Sequence, residues 1–357
     1  MKQHPIADLY ADYLLASCGA TTATGLSQLL EGEVSHDQVT RYLAGTKKTA
    51  ADLWRTVKLF VRQVQSAAGV LIIDDSIEEK PYTDENDIIC WHYDHSKDRM
   101  LKGINFLTAL YSSQGVNVPV GFHLVAKTET YIDAKTRQEK RRSPTSKNEV
   151  CRELIKQVVT NRIPFRCVLF DVWFASAENM VFLKQQLHRN FICPLKTNRK
   201  VALSRADKQQ GRYTRVDTLE LEAQTTREVY PEGVDFPLVL VKQVFTNEDG
   251  SVGIRYLVSS DTPLSFDDLT TSYHKRWQVE CYHKSLKQNV SLAKSPTQTE
   301  TTQTNHFFAA LCGFIKLERL KMRTQLNHFA LKSKLYLNAL HSAFATLRAL
   351  TPVHSSA

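Results

Sequence analysis

Tyr273, Arg276, Glu280 and Lys287 follow one another at spacings of three, four and seven in the segment Tyr-His-Lys-Arg-Trp-Gln-Val-Glu-Cys-Tyr-His-Lys-Ser-Leu-Lys. At about 100° per residue, the four positions fall within about 60° of one another on a helix. A single acid among a phenol, a guanidinium and an ammonium is an odd stripe for a solvated helix. It suits a helix that offers a carboxylate to a metal and grips phosphates on either side. Three further acids stand at strand ends: Asp74 and Asp75 follow the apolar run Val70-Leu-Ile-Ile73, and Asp171 follows Cys167-Val-Leu-Phe170. Carboxylates at the carboxyl ends of adjacent strands can meet at one edge of a sheet. Three oxygen ligands of this kind suit magnesium or manganese rather than zinc. Two such ions stabilise both the attacking and the leaving oxygen of a phosphodiester displacement. Taken singly, each acid reads as an ordinary strand-end or cap residue. Their order, together with the basic stripe, points to a site.

These residues need a frame. The first sixty or so residues read as helical, with an apolar helix over 10–16 and a second over 24–30. Gly32 ends the second, and Ser35 is a good N-cap for a third helix over 36–43. Such a pair describes a helix-turn-helix whose second helix would offer His36, Gln38, Thr40 and Arg41 to DNA. A plain helical hairpin gives the same pattern. An amphipathic helix over 51–64 leads into the next domain.

From Val70 the period changes to that of strands. Strands at 70–73, 103–111 and 116–126 precede a polar, basic loop over 127–147, and the central pair forms a hairpin. A helix over 148–160, a strand over 167–170, a helix over 177–187 and a strand over 191–195 complete an α/β layout. Residues 197–260 read as β-rich, with strands at 213–218 and 228–230 and a hairpin turned by Asn247-Glu-Asp-Gly250. Ser265 with Asp268 forms a capping-box pattern at the start of one long helix carrying the stripe. From Thr301 the chain reads as helical. The domains expected are 1–66, helical and DNA-binding; 67–300, catalytic, with the β-rich insertion at about 197–262; and 301–357, helical.

With these residues in place, the segment around Glu280 resembles the Tyr-x2-Arg-x3-Glu-x6-Lys signature of bacterial cut-and-paste insertion-sequence transposases. Tyr273, Arg276, Glu280 and Lys287 match it in type and spacing. Val-Leu-Ile-Ile-Asp74-Asp-Ser resembles the family's first acid motif, and Leu-Phe-Asp171-Val-Trp-Phe-Ala-Ser its second. The resemblance covers about Val70 to Gln288. It implies an RNase H-like mixed sheet with a β-rich insertion, flanked by helical ends. It also implies a catalytic trio of Asp74, Asp171 and Glu280 holding two Mg2+ or Mn2+ ions. Asp75 is the alternative first acid; strand alternation puts Asp74 on the face of Ser76 and Asp75 on the other. Tyr273, Arg276 and Lys287 would hold the phosphate near the transposon's 5′ end, with Lys284 adding a contact. Relatives that form a hairpinned end stack a flipped base on an aromatic residue of the insertion, and Tyr256 is the nearest match. Trp277 reads as helix packing.

The remaining observations set bounds. A formal net charge of +9 over 357 residues favours a polyanionic partner. No apolar run reaches the roughly 20 residues of a membrane span, and Met-Lys-Gln-His-Pro lacks a secretory apolar region. Seven scattered cysteines form no Cys-x-x-Cys pair, so no disulfide framework or zinc knuckle is suggested. His92, His95 and His123 lack a fourth partner at zinc spacing and read as ordinary. The expectation is a cytoplasmic, nucleoid-associated transposase. Its partners would be double-stranded DNA, as terminal inverted repeats and target, and a second protomer in the synaptic complex. A nuclease of the same fold that cuts without joining is one alternative, and a silent DNA-binding repressor is another.

Overall fold

A computed structural model describes residues 5–94 and 97–350. In chain order, helices α1 (Ile6–Ala16), α2 (Ala23–Leu29), α3 (His36–Ala44) and α4 (Ala50–Val64) come first. Strands β1 (Val70–Glu79), β2 (Ile89–Asp94), β3 (Arg99–Ser113), β4 (Val116–Leu124), β5 (Glu129–Ile132) and β6 (Glu139–Arg142) follow, then α5 (Lys147–Thr160). Next come β7 (Cys167–Phe170), α6 (Ala177–Val181), β8 (Asn190–Leu195), β9 (Lys200–Ala202), α7 (Arg205–Gln209) and β10 (Thr214–Arg215). β11 (Thr226–Pro231), β12 (Leu238–Thr246) and β13 (Val252–Ser259) precede α8 (Phe266–His274), α9 (Trp277–Asn289), α10 (Glu300–Thr324) and α11 (His328–Leu350).

The chain divides into two compact units. One gathers the residues up to Lys48, Glu78–Asn86 and those from Tyr282 on; the other is Thr49–Ile77 with Asp87–Cys281. The helix α4 thus belongs with the sheet unit, where it packs on β4, and not with the three helices before it.

In the sheet unit, eleven described strands form one sheet in the order β10-β9-β11-β12-β13-β8-β7-β1-β3-β2, with β4 on β3. Its centre is parallel: β1 pairs β7, and β7 pairs β8. Residues 70–73 and 167–170 are fully buried, as central parallel strands covered on both faces require. Burying each large apolar side chain there stabilises the fold by about 1.5–3 kcal/mol. The register pairs Ile73 with Phe170. The hairpin β3–β4 turns on Gln114 and Gly115, both at positive φ (52° and 76°), the tight two-residue turn that matches strand twist.

Several expectations are corrected. β1 runs through Asp74 and Asp75 to Glu79, past the end of its pairing with β7 at Ile73 and with β3 as its other neighbour. The basic stretch 127–147 is not a bare loop; Glu129–Ile132 and Glu139–Arg142 pair as an antiparallel ribbon. The β-rich insertion adds β9–β13 to the edge of the same sheet, through the pairing of β13 with β8. Only Thr214–Arg215 of the expected strand 213–218 is extended. The helix over 177–187 is α6 plus one wide π-turn, Phe182–Gln186, closed by Leu187 N–H donating to the Phe182 carbonyl at 3.1 Å. β2 had no counterpart in the sequence reading.

In the helical unit, α10 is central and packs on α1, α3 and α11. Asn305 of α10 donates to the carbonyls of Leu43 and Gly45 and accepts from Lys48 N–H, which fixes the turn after α3. Tyr10 donates to His306 Nδ1 (3.0 Å) while His306 Nε2 donates to the Leu292 carbonyl (3.1 Å). Burial pushes the His306 pKa down to about 4, so it is neutral in this role. The turn between α2 and α3 needs Gly32, at φ 84°. α3 starts on a capping box between Ser35 and Gln38.

Candidate active site

The site is built from the ends of paired strands. Asp74 and Asp171 are each the next residue after the register pair Ile73 and Phe170, so two parallel neighbours deliver two carboxylates side by side. Asp171 caps a short 3-10 turn, Val172–Phe174, and its Oδ1 accepts the Trp173 N–H at 2.9 Å. Asp75, on the opposite side of the strand, is already engaged. Its Oδ2 accepts from Asn105 Nδ2 (2.9 Å) and meets Lys147 Nζ at 2.6 Å.

The predicted single helix is two. α8 ends at His274 and α9 begins at Trp277, with Lys275 and Arg276 in the turn between. Arg276 N–H donates to Tyr273 (2.9 Å) and Val279 N–H to Arg276 (3.0 Å), three-residue bonds that tighten the chain through this junction. Tyr273, Arg276 and Glu280 still converge. The Arg276 guanidinium reaches Glu280 Oε1 at 2.5 Å and Asp74 Oδ2 at 3.7 Å. It lies 5.8 Å from the Tyr273 ring centroid, and Arg255 lies 5.6 Å from the same ring. Tyr273 is buried, which pushes its pKa up to about 12. Its ring lies against the guanidinium and helps hold it in place.

Electrostatics mark the pair of acids. Burial raises Asp74 well above the ordinary carboxylate range, and repulsion from Asp171 and Asp75 raises it further; Arg276 opposes. Asp171 is raised by burial and by Asp75, against the Trp173 N–H and Arg276. Crowded, desolvated carboxylates are a donor set that a divalent cation would relieve, and hard oxygen donors fit such an ion. Among the described residues, no three His, Cys, Asp or Glu side chains are grouped closely enough to hold a metal ion as they stand. The Arg276 guanidinium reaches both Asp74 and Glu280 and bridges them.

The remaining predicted residues fall elsewhere. Tyr256 is buried in β13, opposite Lys242 and Leu195, and offers no face for stacking a base. Lys284 and Lys287 lie on the second half of α9, in the helical unit, where the Lys284 ammonium rests 5.2 Å from the Phe329 ring centroid. On α3, Gln38, Thr40 and Arg41 are exposed. Gln38 is held by the cap, accepting from Ser35 N–H at 2.8 Å, and Thr40 donates to the His36 carbonyl at 3.0 Å. His92 is buried against Cys90 Sγ with its pKa pushed down to about 3, so it is a core residue; His95 lies outside the described residues.

A sequence profile described as DDE superfamily endonuclease matches residues 2–227. The chain belongs to that family. No curated protein matches it. Membership implies nuclease or transposase chemistry on DNA, supported by divalent metal ions. The matched span contains Asp74 and Asp171 and ends before Arg276 and Glu280. No described helix of this DDE-family chain is long and apolar enough to cross a membrane.

Trp173, two residues after Asp171, is half-exposed and has Lys196 Nζ 5.1 Å from its ring centroid.

Proposed function

We propose that this DDE-family chain is a cut-and-paste transposase of the Tyr-x2-Arg-x3-Glu-x6-Lys class, acting on the ends of a mobile DNA element and joining them to target DNA. The observation that supports it most is the register Ile73 with Phe170, which sets Asp74 beside Asp171, with Glu280 joined to Asp74 through Arg276. Asp74, Asp171 and Glu280 would hold divalent ions, two Mg2+ or Mn2+ in this reading. Bound there, such ions supply Lewis acidity to a phosphodiester. Asp74 is favoured over Asp75 as the first acid because Asp75 is already bonded by Asn105 and Lys147.

The chain's own residues then have distinct tasks. Arg276, held on the Tyr273 ring, passes from carboxylates to a DNA phosphate, which its planar fork can grip in a bidentate way. Lys287 and Lys284 add point charges along the strand. Exposed Gln38, Thr40 and Arg41 on α3 read the terminal inverted repeats, and a second protomer completes the paired-end complex. Incubating the full chain with a duplex carrying its element end, in Mn2+, should yield a nick at the end followed by joined product. Loss of nicking in Asp171→Asn with retained duplex binding is expected. Nicking that survives this change would refute the assignment.

The description of the family as endonucleases favours a second reading, cleavage without joining. A pre-cleaved end with a free 3′-OH separates the two: joined product supports transposition, and hydrolysis alone supports the nuclease.

A further inference from the structure

The cations and rings around Tyr273 continue past Arg276. Arg255, on β13, lies over two rings, with its guanidinium carbon 5.6 Å from the Tyr273 ring centroid and 5.2 Å from that of Phe245 on β12. The register explains this arrangement. Phe245 is opposite Gly253, two residues before Arg255, so all three share one face of the hairpin and Tyr256 falls on the other. Gly253 has no positive φ that would require a glycine. A Cβ there would stand 2.4 Å from the Phe245 ring and push it off Arg255. The hairpin thus keeps a gap in its side chains that lets one ring carry one cation.

Arg255 is half-buried and, among the described residues, makes no ion pair or hydrogen bond beyond these ring contacts. Arg276, over the same Tyr273 ring, reaches Asp74 and Glu280. One guanidinium has its carboxylates and the other has none. Ring contacts use the faces of a guanidinium and leave the five N–H donors at its rim for another acceptor. To fill the space between two rings, a methionine would serve without desolvating a charge.

We infer that Arg255 holds a second phosphate of the bound DNA strand, next to the one taken by Arg276. The inference rests on the DNA-acting function proposed above and adds a residue outside the Tyr-x2-Arg-x3-Glu-x6-Lys set. Held by Phe245 and Tyr273, the guanidinium is pre-organised, so little freedom is lost when a phosphate binds its fork. Phosphate contacts of this kind fix register and orientation without reading sequence. Two anchors on one strand set its direction across Asp74 and Asp171, which a single anchor leaves free.

The test is a scan of the element-end duplex in which one phosphate at a time is replaced by an uncharged methylphosphonate, with the affinity of the full chain read by fluorescence anisotropy. The wild type should lose affinity at both anchored linkages. Arg255→Met, neutral but long enough to stay between the rings, should bind the unmodified duplex roughly tenfold more weakly, the size of one charge-assisted hydrogen bond. It should also lower the slope of log affinity against log salt by about 1 and cease to respond at one linkage. Arg276→Gln should cease to respond at a different linkage. Arg255→Lys should recover the response that Arg255→Met loses, and Gly253→Ala should weaken binding by less. Circular dichroism checks that each variant is folded, and Arg255→Gln repeats the comparison. A response in Arg255→Met unchanged at every linkage, or lost at the same linkage as in Arg276→Gln, overturns the second phosphate and leaves the transposase reading standing. Failure of the wild type to bind the duplex overturns both.

Discussion

Two buried clusters of charge in this molecule obey the same electrostatics with opposite outcomes. In the sheet unit, Asp74 and Asp171 are pressed together with Asp75 nearby, and both are raised above the ordinary carboxylate range by burial and like charge. In the helical unit, Glu318 of α10 is more deeply buried, at 2 % exposure against 14 % for the Asp74 side chain. Burial alone would raise it too, yet His328, 3.2 Å away, and Lys321, 2.8 Å away, hold it below its usual range. Ser285 Oγ meets the other ring nitrogen of His328 at 2.9 Å, so the cluster ties α9, α10 and α11 together. A carboxylate that its surroundings satisfy contributes to stability. Carboxylates that their surroundings crowd carry a cost in stability and mark a candidate site for chemistry.

That contrast can be broken in order of expected effect. Glu280→Gln should lower strand cleavage by about a thousandfold or more while end binding in a gel-shift assay stays close to wild type. Loss of binding and cleavage together would mean that Glu280 supports the fold. Glu318→Gln should destabilise the chain by about 2 kcal/mol, because it removes the buried charge that Lys321 and His328 face at 2.8 and 3.2 Å. Thermal melting would show it, and an unchanged midpoint would dissolve the contrast. Asp74→Asn should do the reverse, raising the melting midpoint while abolishing cleavage.

The pH dependence sharpens the sign. Asp74 has a raised folded pKa, so its cost is present at neutral pH and fades as pH falls through that value. The advantage of Asp74→Asn should therefore shrink on acidification. Glu318 has a lowered folded pKa, so its contribution is present above the ordinary carboxylate value and lost only as pH falls through the lower one. The defect of Glu318→Gln should persist to more acid pH than the advantage of Asp74→Asn, as melts from neutral to acid would show. The smallest effect concerns the exposed face of α3. Arg41→Ala should weaken duplex binding a few-fold and reduce the slope of log affinity against log salt by about 1, without moving the melting midpoint.

Much of this was legible in the chain. Cys167–Phe170 was readable to the residue because an unbroken apolar run closed by an acid has few other solutions. The capping box at Ser265 was readable because Asp268 lies three residues on, and Ser35 was readable as an N-cap, though not its box with Gln38. What was hidden depended on long-range packing. The break at Lys275–Arg276 carries no glycine or proline, so nothing local announced it. The ribbon of Glu129–Ile132 with Glu139–Arg142 is charged on both strands and gives no alternating apolar signal. Tyr256 sat in a plausible strand, but only the assembled sheet shows both its neighbours closing over it. The engagement of Asp75 by Lys147, 72 residues away in sequence, could not be seen from spacing at all.

The pairing of Ile73 with Phe170 also says which changes in chain length this protein can absorb. Asp74 and Asp171 are brought together by counting along strands, so their relation is one of phase. Removing one residue within Cys167–Phe170 would turn Asp171 to the other face of the sheet. Lengthening the turn over 133–138, between the ribbon strands, leaves that count untouched and costs only a term that grows with the logarithm of loop length. Insertions and deletions between the two acids should sort by strand or turn rather than by their distance from the site.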